Sequence, residues 1–157
     1  MPPGPVRWAM PARGRSKIFP GFPSQNRKRR HTQRSMAKIL LAEDHSSTRT
    51  TMGGLLRASG HQVDVAASGV EALLLLKKKV YDLLVTDLMM PEGTGFEVVQ
   101  HLRKRRMMIP VLICSGYVAE KGMEKNLEGF RFSALSKPFR PEALLGAVQG
   151  LLAPPKT

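Results

Sequence analysis

The chain has 157 residues, 42% of them hydrophobic, with 25 Lys or Arg against 12 Asp or Glu and a formal net charge of +13. A single cysteine, Cys114, excludes an internal disulfide and fits a reducing compartment, and no apolar run approaches the roughly twenty residues that a membrane helix requires. Nine of the bases and none of the acids precede Met36, so the first 35 residues carry +9 and the remaining 122 carry +4, enough chain for one domain with a sizeable core and not for two.

Residues 1–35 hold Pro2, Pro3, Pro5, Pro11, Pro20 and Pro23 and close on Arg27, Lys28, Arg29 and Arg30, without helical or strand periodicity. A disordered basic tail is expected. No continuous apolar stretch follows its first charges, which excludes a secretory signal. An Arg-rich, acid-free segment resembles an organelle transit peptide or an arm that attracts nucleic acid. The alternative is that Met36-Ala37-Lys38, directly before the first predicted strand, is the natural start and the residues before it are upstream sequence translated in error. The rest is expected to be soluble and cytoplasmic, without membrane insertion.

Lys38–Ala42 is a short apolar run, followed by Ser46 and Ser47 as N-cap candidates and a helix holding Met52, Leu55 and Leu56 that ends at Gly60. Gln62–Ala66 alternates as a strand. Ser68-Gly-Val-Glu71 has capping-box spacing and opens a helix through Leu76, whose all-round leucines argue for burial against a sheet. Leu83–Thr86 is a third strand, Pro91–Gly95 a loop, and Thr94-Gly-Phe-Glu97 a second capping box. That box starts a helix with Phe96, Val99 and Leu102 on one face and a solvated cationic end at Arg103–Arg106. Pro110–Cys114 reads as strand four, placing Cys114 in the core. Glu120–Leu127 reads as a weaker helix, Ser133–Ser136 as strand five, and Pro141 as the first residue of a helix with Leu144, Leu145, Val148 and Leu151.

Five strand–helix alternations predict an α/β fold with a doubly wound five-stranded parallel sheet. In such sheets ligands bind at the carboxyl edge. Four runs end there in polar residues: Glu43 and Asp44, Asp87, Ser115, and Lys137. Three carboxylates, a hydroxyl and an ammonium on one edge are the chemistry of a metal-assisted phosphate site, because Mg²⁺ takes oxygen ligands and an ammonium offsets phosphoryl charge.

The stretches ILLAEDH, DLMMPEGTG, CSG and SKPF, in this order and spacing from about Ala37 to Leu152, resemble the receiver domain of bacterial two-component response regulators. The resemblance implies a flavodoxin-like (βα)5 fold with strand order 2-1-3-4-5, a receiver domain over 36–153 and a short tail at 154–157. It implies that Asp87 accepts a phosphoryl group from a histidine kinase or histidine phosphotransfer protein. Asp44, Asp87 and the Met89 carbonyl would bind Mg²⁺, with Glu43 acting through a coordinated water. Lys137 would pair with the acceptor or the phosphoryl oxygens, Ser115 would bond the phosphoryl group, and the Lys137–Pro138 bond is expected to be cis. The protein would be a phosphoacceptor that catalyses its own phosphotransfer and dephosphorylation, and not a turnover enzyme.

Many receivers carry Tyr or Phe three residues before the signature lysine; here that position is Ala134, which leaves Tyr117 and Phe132 as switch candidates beside Ser115. Met89 and Tyr117 flank the approach of water to the phosphoryl group and bring no acid or amide, so slow self-dephosphorylation is expected. Leu152 is followed only by Ala-Pro-Pro-Lys-Thr, so a single-domain regulator is expected, acting on another protein as a switch, a phosphorelay carrier or an adaptor. Two other classes stay open. One is a receiver with a nucleic-acid-binding arm, the tail being the only route to nucleic acid and its binding steeply salt-dependent. The other is a hydrolase on the same sheet, although aspartate-using phosphatases place a second aspartate where Met89 stands.

Overall fold

In the computed structural model, which describes residues 36–116 and 123–155, strands and helices alternate in ten elements. They are β1 Lys38–Ala42, α1 Ser46–Ala58, β2 Gln62–Ala66, α2 Gly69–Lys78, β3 Leu83–Thr86, α3 Gly95–Lys104, β4 Val111–Ser115, α4 Met123–Asn126, β5 Phe132–Ser136 and α5 Pro141–Leu152. The basic tail and Tyr117 lie outside the described residues, as do the first three positions of the helix expected at Glu120–Leu127.

All four strand pairings are parallel, and the order is β2-β1-β3-β4-β5. This is the doubly wound, flavodoxin-like sheet that the alternation implied. Parallel strands covered on both faces read as continuous apolar runs, and alternate residues go to opposite layers. Leu40 and Ala42 of β1 join Leu84, Val111 and Ile113 under α2, α3 and α4. Ile39 and Leu41 join Leu83, Val85, Leu112 and Cys114 under α1 and α5.

Helix ends follow local chemistry. Thr94 accepts from the Glu97 N–H and Glu97 returns a bond to the Thr94 N–H, a complete capping box. At α2 half of the box forms: Ser68 Oγ accepts from Glu71 N–H, while Glu71 Oε2 accepts from the N–H of Ala67, one residue earlier. α1 departs from expectation more clearly, since His45 and not a serine stands at its N-cap, without a side-chain capping bond. Gly60 adopts φ 93°, a left-handed conformation that glycine reaches without steric penalty, and lets His61 N–H bond back to Leu56.

α2 is buried against the sheet as expected, through Ala72 and Leu76, while Val70 and Leu74 of the same helix are 48% and 51% exposed, because a short helix on one sheet face buries a single stripe. The cationic end of α3 is not merely solvated. Arg103 donates to the carbonyls of Asn126 and Glu128 at 2.9 and 2.8 Å and lies over the Phe130 ring, tying α3 to the segment before β5. Among the described residues no helix is long and apolar enough to cross a membrane.

Candidate functional site

The order β2-β1-β3-β4-β5 sets the carboxyl ends of β1, β3, β4 and β5 side by side. Backbone bonds carry the ladder one residue beyond the strands. Glu43 N–H donates to Ala66, Asp87 N–H to Ala42 and Lys137 N–H to Ser115, so each functional residue is fixed by its neighbouring strand before its side chain acts.

Lys137 is the centre of the cluster. Its Nζ donates to Glu43 Oε2 at 2.6 Å and to Asp87 Oδ2 at 2.7 Å, bringing together residues from the ends of three strands. Glu43 and Asp87 are both buried. Burial alone disfavours the ammonium charge, but the hydrogen bonds that Lys137 donates to Asp87 and Glu43 outweigh it and hold the Lys137 pKa above its ordinary value. The Lys137–Pro138 bond is cis, as the resemblance implied.

Asp87 is braced on every side. Oδ1 accepts from Met89 N–H at 3.1 Å, and the Asp87 carbonyl accepts from Thr86 Oγ1 at 2.8 Å. The backbone of Gly95 packs so closely on that carbonyl that a Cβ at Gly95 would overlap its oxygen, which explains the glycine at the start of α3. Met89 itself points outward and is 61% exposed. Ser115 ends β4, buried, and pairs in register with Ser136.

Asp44 differs from its neighbours. Its Oδ1 is buried and accepts no hydrogen bond, although His45 Nδ1 lies 3.3 Å away. A buried carboxylate oxygen left without a donor suits a cation. Glu43, Asp44 and His45 have donor atoms that all fall within 4.8 Å of one another. Asp87 is not part of that group among the described residues; in this state its oxygens are engaged by Lys137 and by the Met89 N–H.

Sequence reasoning missed two participants. Arg49, one turn into α1, donates from Nη1 to the carbonyls of Glu43 at 2.8 Å and Asp44 at 3.1 Å, clamping the loop that carries the acids. His45 sits beside both acids, and its place directly after an acidic pair was the signal available for it. Phe132 opens β5, in register with Val111, whereas Ser115 is opposite Ser136. Four residues of strand separate those levels, about 13 Å, so Phe132 does not share the edge with Asp87. Ala134 packs against the layer under α2, α3 and α4.

Cys114 is inert by environment: burial, the largest influence, pushes its thiol pKa up to about 12. A separate cleft at the opposite edge, about 410 Å³, is lined by Lys38, Gln62, Asp64, Lys79, Val80 and Tyr81. Its carboxylate, Asp64, is already satisfied by Tyr81 Oη at 2.7 Å and Lys79 Nζ at 3.0 Å.

Comparisons with known proteins bear on the family and the fold. The family described as response regulator receiver domain matches residues 39–149. The chain is 33% identical over 115 residues to the alkaline phosphatase synthesis transcriptional regulatory protein PhoP of Bacillus subtilis, covering 73% of this chain and 48% of that protein. It spans about half the length of the curated relatives it matches. Among solved structures it resembles the chemotaxis response regulator CheY4 of Vibrio cholerae, with a TM-score of 0.66 and 33% identity, over 75% of this chain and 100% of that one. It also resembles the response regulator protein TrrA of Thermotoga maritima, solved in complex with Mg²⁺-BeF, with a TM-score of 0.66 and 26% identity, over 74% and 100%.

Proposed function

The chain belongs to the response regulator receiver family, and from that premise we propose that Asp87 is the residue phosphorylated in a two-component signalling pathway. One Asp87 oxygen attacks the phosphorus of a phosphohistidine on a histidine kinase or histidine phosphotransfer protein. A P–O bond forms, the P–N bond breaks, and the imidazole leaves with the bonding pair and takes up a proton. The product is a mixed anhydride on Asp87.

Carrying an anionic phosphoryl group into a site with three carboxylates is opposed by charge, and Lys137 is the protein cation placed to offset it. As the anhydride forms, its ammonium passes from the acceptor carboxylate to a phosphoryl oxygen while keeping Glu43. Ser115, on the adjacent strand, donates its hydroxyl to the phosphoryl group. Asp44, Asp87 and the Met89 carbonyl would hold Mg²⁺, and Glu43 would act through a coordinated water, which suits an ion that keeps several waters. When bound, the ion would supply positive charge to offset that of the phosphoryl oxygens. Met89 offers water no acid or amide for in-line attack, so the anhydride is long-lived.

The domain is residues 36–153, and its output is a phosphorylation-dependent contact with another protein. The face of α4, β5 and α5 carries it, by a shift in a pre-existing equilibrium. The observation that supports the reading most is the single ammonium joining Glu43 and Asp87, 2.6 and 2.7 Å away, beside an Asp44 oxygen without a hydrogen-bond donor. The test is incubation of the full chain with acetyl phosphate, followed by intact mass. One added phosphoryl group in Mg²⁺ and none in EDTA is expected; equal labelling in both would remove the metal from the account.

A further inference from the structure

We propose that the amino edge of the sheet, where the strands begin, docks on an anionic phospholipid surface. Cations at the ends of α2 and α3 meet the headgroups, and exposed side chains of the neighbouring loops reach the acyl boundary. The contact is peripheral, and it lies at the end of the domain away from Asp87.

Lys77, Lys78 and Lys79 close α2, and residues 103–106 close α3, with no acid in either run. Without these seven bases the domain's +4 would be −3. Lys79 is engaged by Asp64, and Arg103 by the carbonyls of Asn126 and Glu128. Lys77, Lys78, Lys104, Arg105 and Arg106 are exposed and have no ion pair among the described residues. The two runs converge, because α2 and α3 share one layer. His101 lies between them, its pKa lowered first by burial and then by Arg105, Lys77 and Lys104. Helix-dipole chemistry accounts for cations in a last turn, but Arg105 and Arg106 follow the final helical residue, Lys104. Arg106 takes φ 55°, at the position where α1 places Gly60 at φ 93°. The same pair of backbone bonds closes both helices: Arg106 to Arg103 and Met107 to Leu102, as Gly60 to Arg57 and His61 to Leu56. A side chain there is sterically disfavoured, so this cation stands against the local backbone preference.

Apolar side chains stand on the same edge. Met36 ahead of β1, Val80 ahead of β3 and Met108 ahead of β4 are 63%, 74% and 49% exposed, and those three strands are neighbours. Backbone bonds tie their approaches together, Asp82 N–H donating to Lys38 and Leu84 N–H to Pro110. The three offer no ring on which a base could stack, as single-stranded nucleic acid favours. Apolar tips among cations instead suit the boundary between headgroups and acyl chains, where buried apolar area and attraction to anionic lipid add. The carboxylates of the opposite edge do not oppose this contact. The five residues of β1 hold Glu43 and Asp44 about 16 Å from that end, about two Debye lengths at physiological salt.

The experiment is co-sedimentation of the full chain with vesicles of phosphatidylcholine alone and of phosphatidylcholine mixed with phosphatidylglycerol. Every arm carries Arg27→Gln, Lys28→Gln, Arg29→Gln and Arg30→Gln, so that the charge of residues 1–35 does not dominate the signal. Partition onto the mixed vesicles alone is expected. Arg106→Gly should weaken it about fivefold, while raising the thermal midpoint because glycine suits the left-handed position. A purely structural role for Arg106 would not separate those two readouts. Val80→Ser with Met108→Ser should weaken vesicle binding by about tenfold and leave binding of duplex DNA unchanged. No partition, or equal partition onto both vesicles, overturns the proposal, as does an Arg106→Gly chain that binds as well as its parent. Vesicle binding indifferent to the Val80 and Met108 changes, or duplex DNA bound through Arg106 while vesicles are not, gives the edge to another polyanion and overturns it too.

Discussion

Removing Lys137 and removing the Asp87 charge should move stability in opposite directions, although the two side chains share a hydrogen bond. Coulomb's law at an effective dielectric near 20 gives about 6 kcal/mol for an ammonium–carboxylate contact of 2.6 to 2.7 Å. Desolvation takes back most of this, and truncating one partner of a buried pair typically destabilises by about 3–5 kcal/mol. The Lys137 side chain is 22% exposed, so Lys137→Ala belongs near the lower end, at about 3 kcal/mol. Asp87→Asn instead removes one of three crowded carboxylates, leaves the Glu43–Lys137 pair intact and keeps an oxygen for the Met89 N–H. It is expected to be neutral or stabilising by up to about 1 kcal/mol. Urea unfolding in EDTA at neutral pH reads both values. The raised Lys137 pKa fixes the pH window: the contribution is complete below the ordinary 10.5 and is lost as pH climbs through the higher folded-state value. The gap between wild type and Lys137→Ala should therefore stay constant from neutral pH to about pH 9. A Lys137→Ala variant as stable as wild type, or an Asp87→Asn variant as unstable as Lys137→Ala, would refute the charge argument.

Gly95→Ala should lower stability by about 2 kcal/mol or more, because its Cβ overlaps the Asp87 carbonyl. Gly54→Ala, with open space around its Cβ in α1, should raise it by about 0.5–1 kcal/mol, and thermal unfolding of the pair measures both. Arg49→Ala should weaken Mg²⁺ binding by about tenfold through the loosened acid loop, with partial recovery in Arg49→Lys, read by titration. Met89→Asn should shorten the phosphoryl half-life by giving water an amide to bind; equal half-lives in single-turnover decay would remove that explanation.

What the sequence made legible was whatever depends on period and punctuation. The β1 and β3 boundaries match the apolar runs because strands covered on both faces leave little polar interruption, the edge strand β2 shows instead as an alternation, and the Thr94–Glu97 box forms completely because its bonds are local. The Ser46 and Ser47 cap was misplaced because the chain enters α1 one residue earlier, under the hold that Arg49 exerts on the loop. Leucine content told that α2 lies against the sheet but not which stripe it turns there, so the exposure of Leu74 was not legible. At the site, the convergence of Glu43, Asp87 and Lys137 follows from strand order, so it could be anticipated. The turn of His45 onto the acids and the reach of Arg49 to their carbonyls depend on rotamers in a short loop, where residue spacing carries no information.

The central claim is that Asp87 itself carries the phosphoryl group. Reduction of the phosphorylated full chain with borohydride, which converts an aspartyl phosphate to homoserine, followed by peptide mass spectrometry, tests it most directly. Homoserine at position 87, absent when Mg²⁺ is withheld, is the predicted result. A phosphorylated chain with Asp87 unreduced, or with the mark at Asp44 or Glu43, would contradict the account.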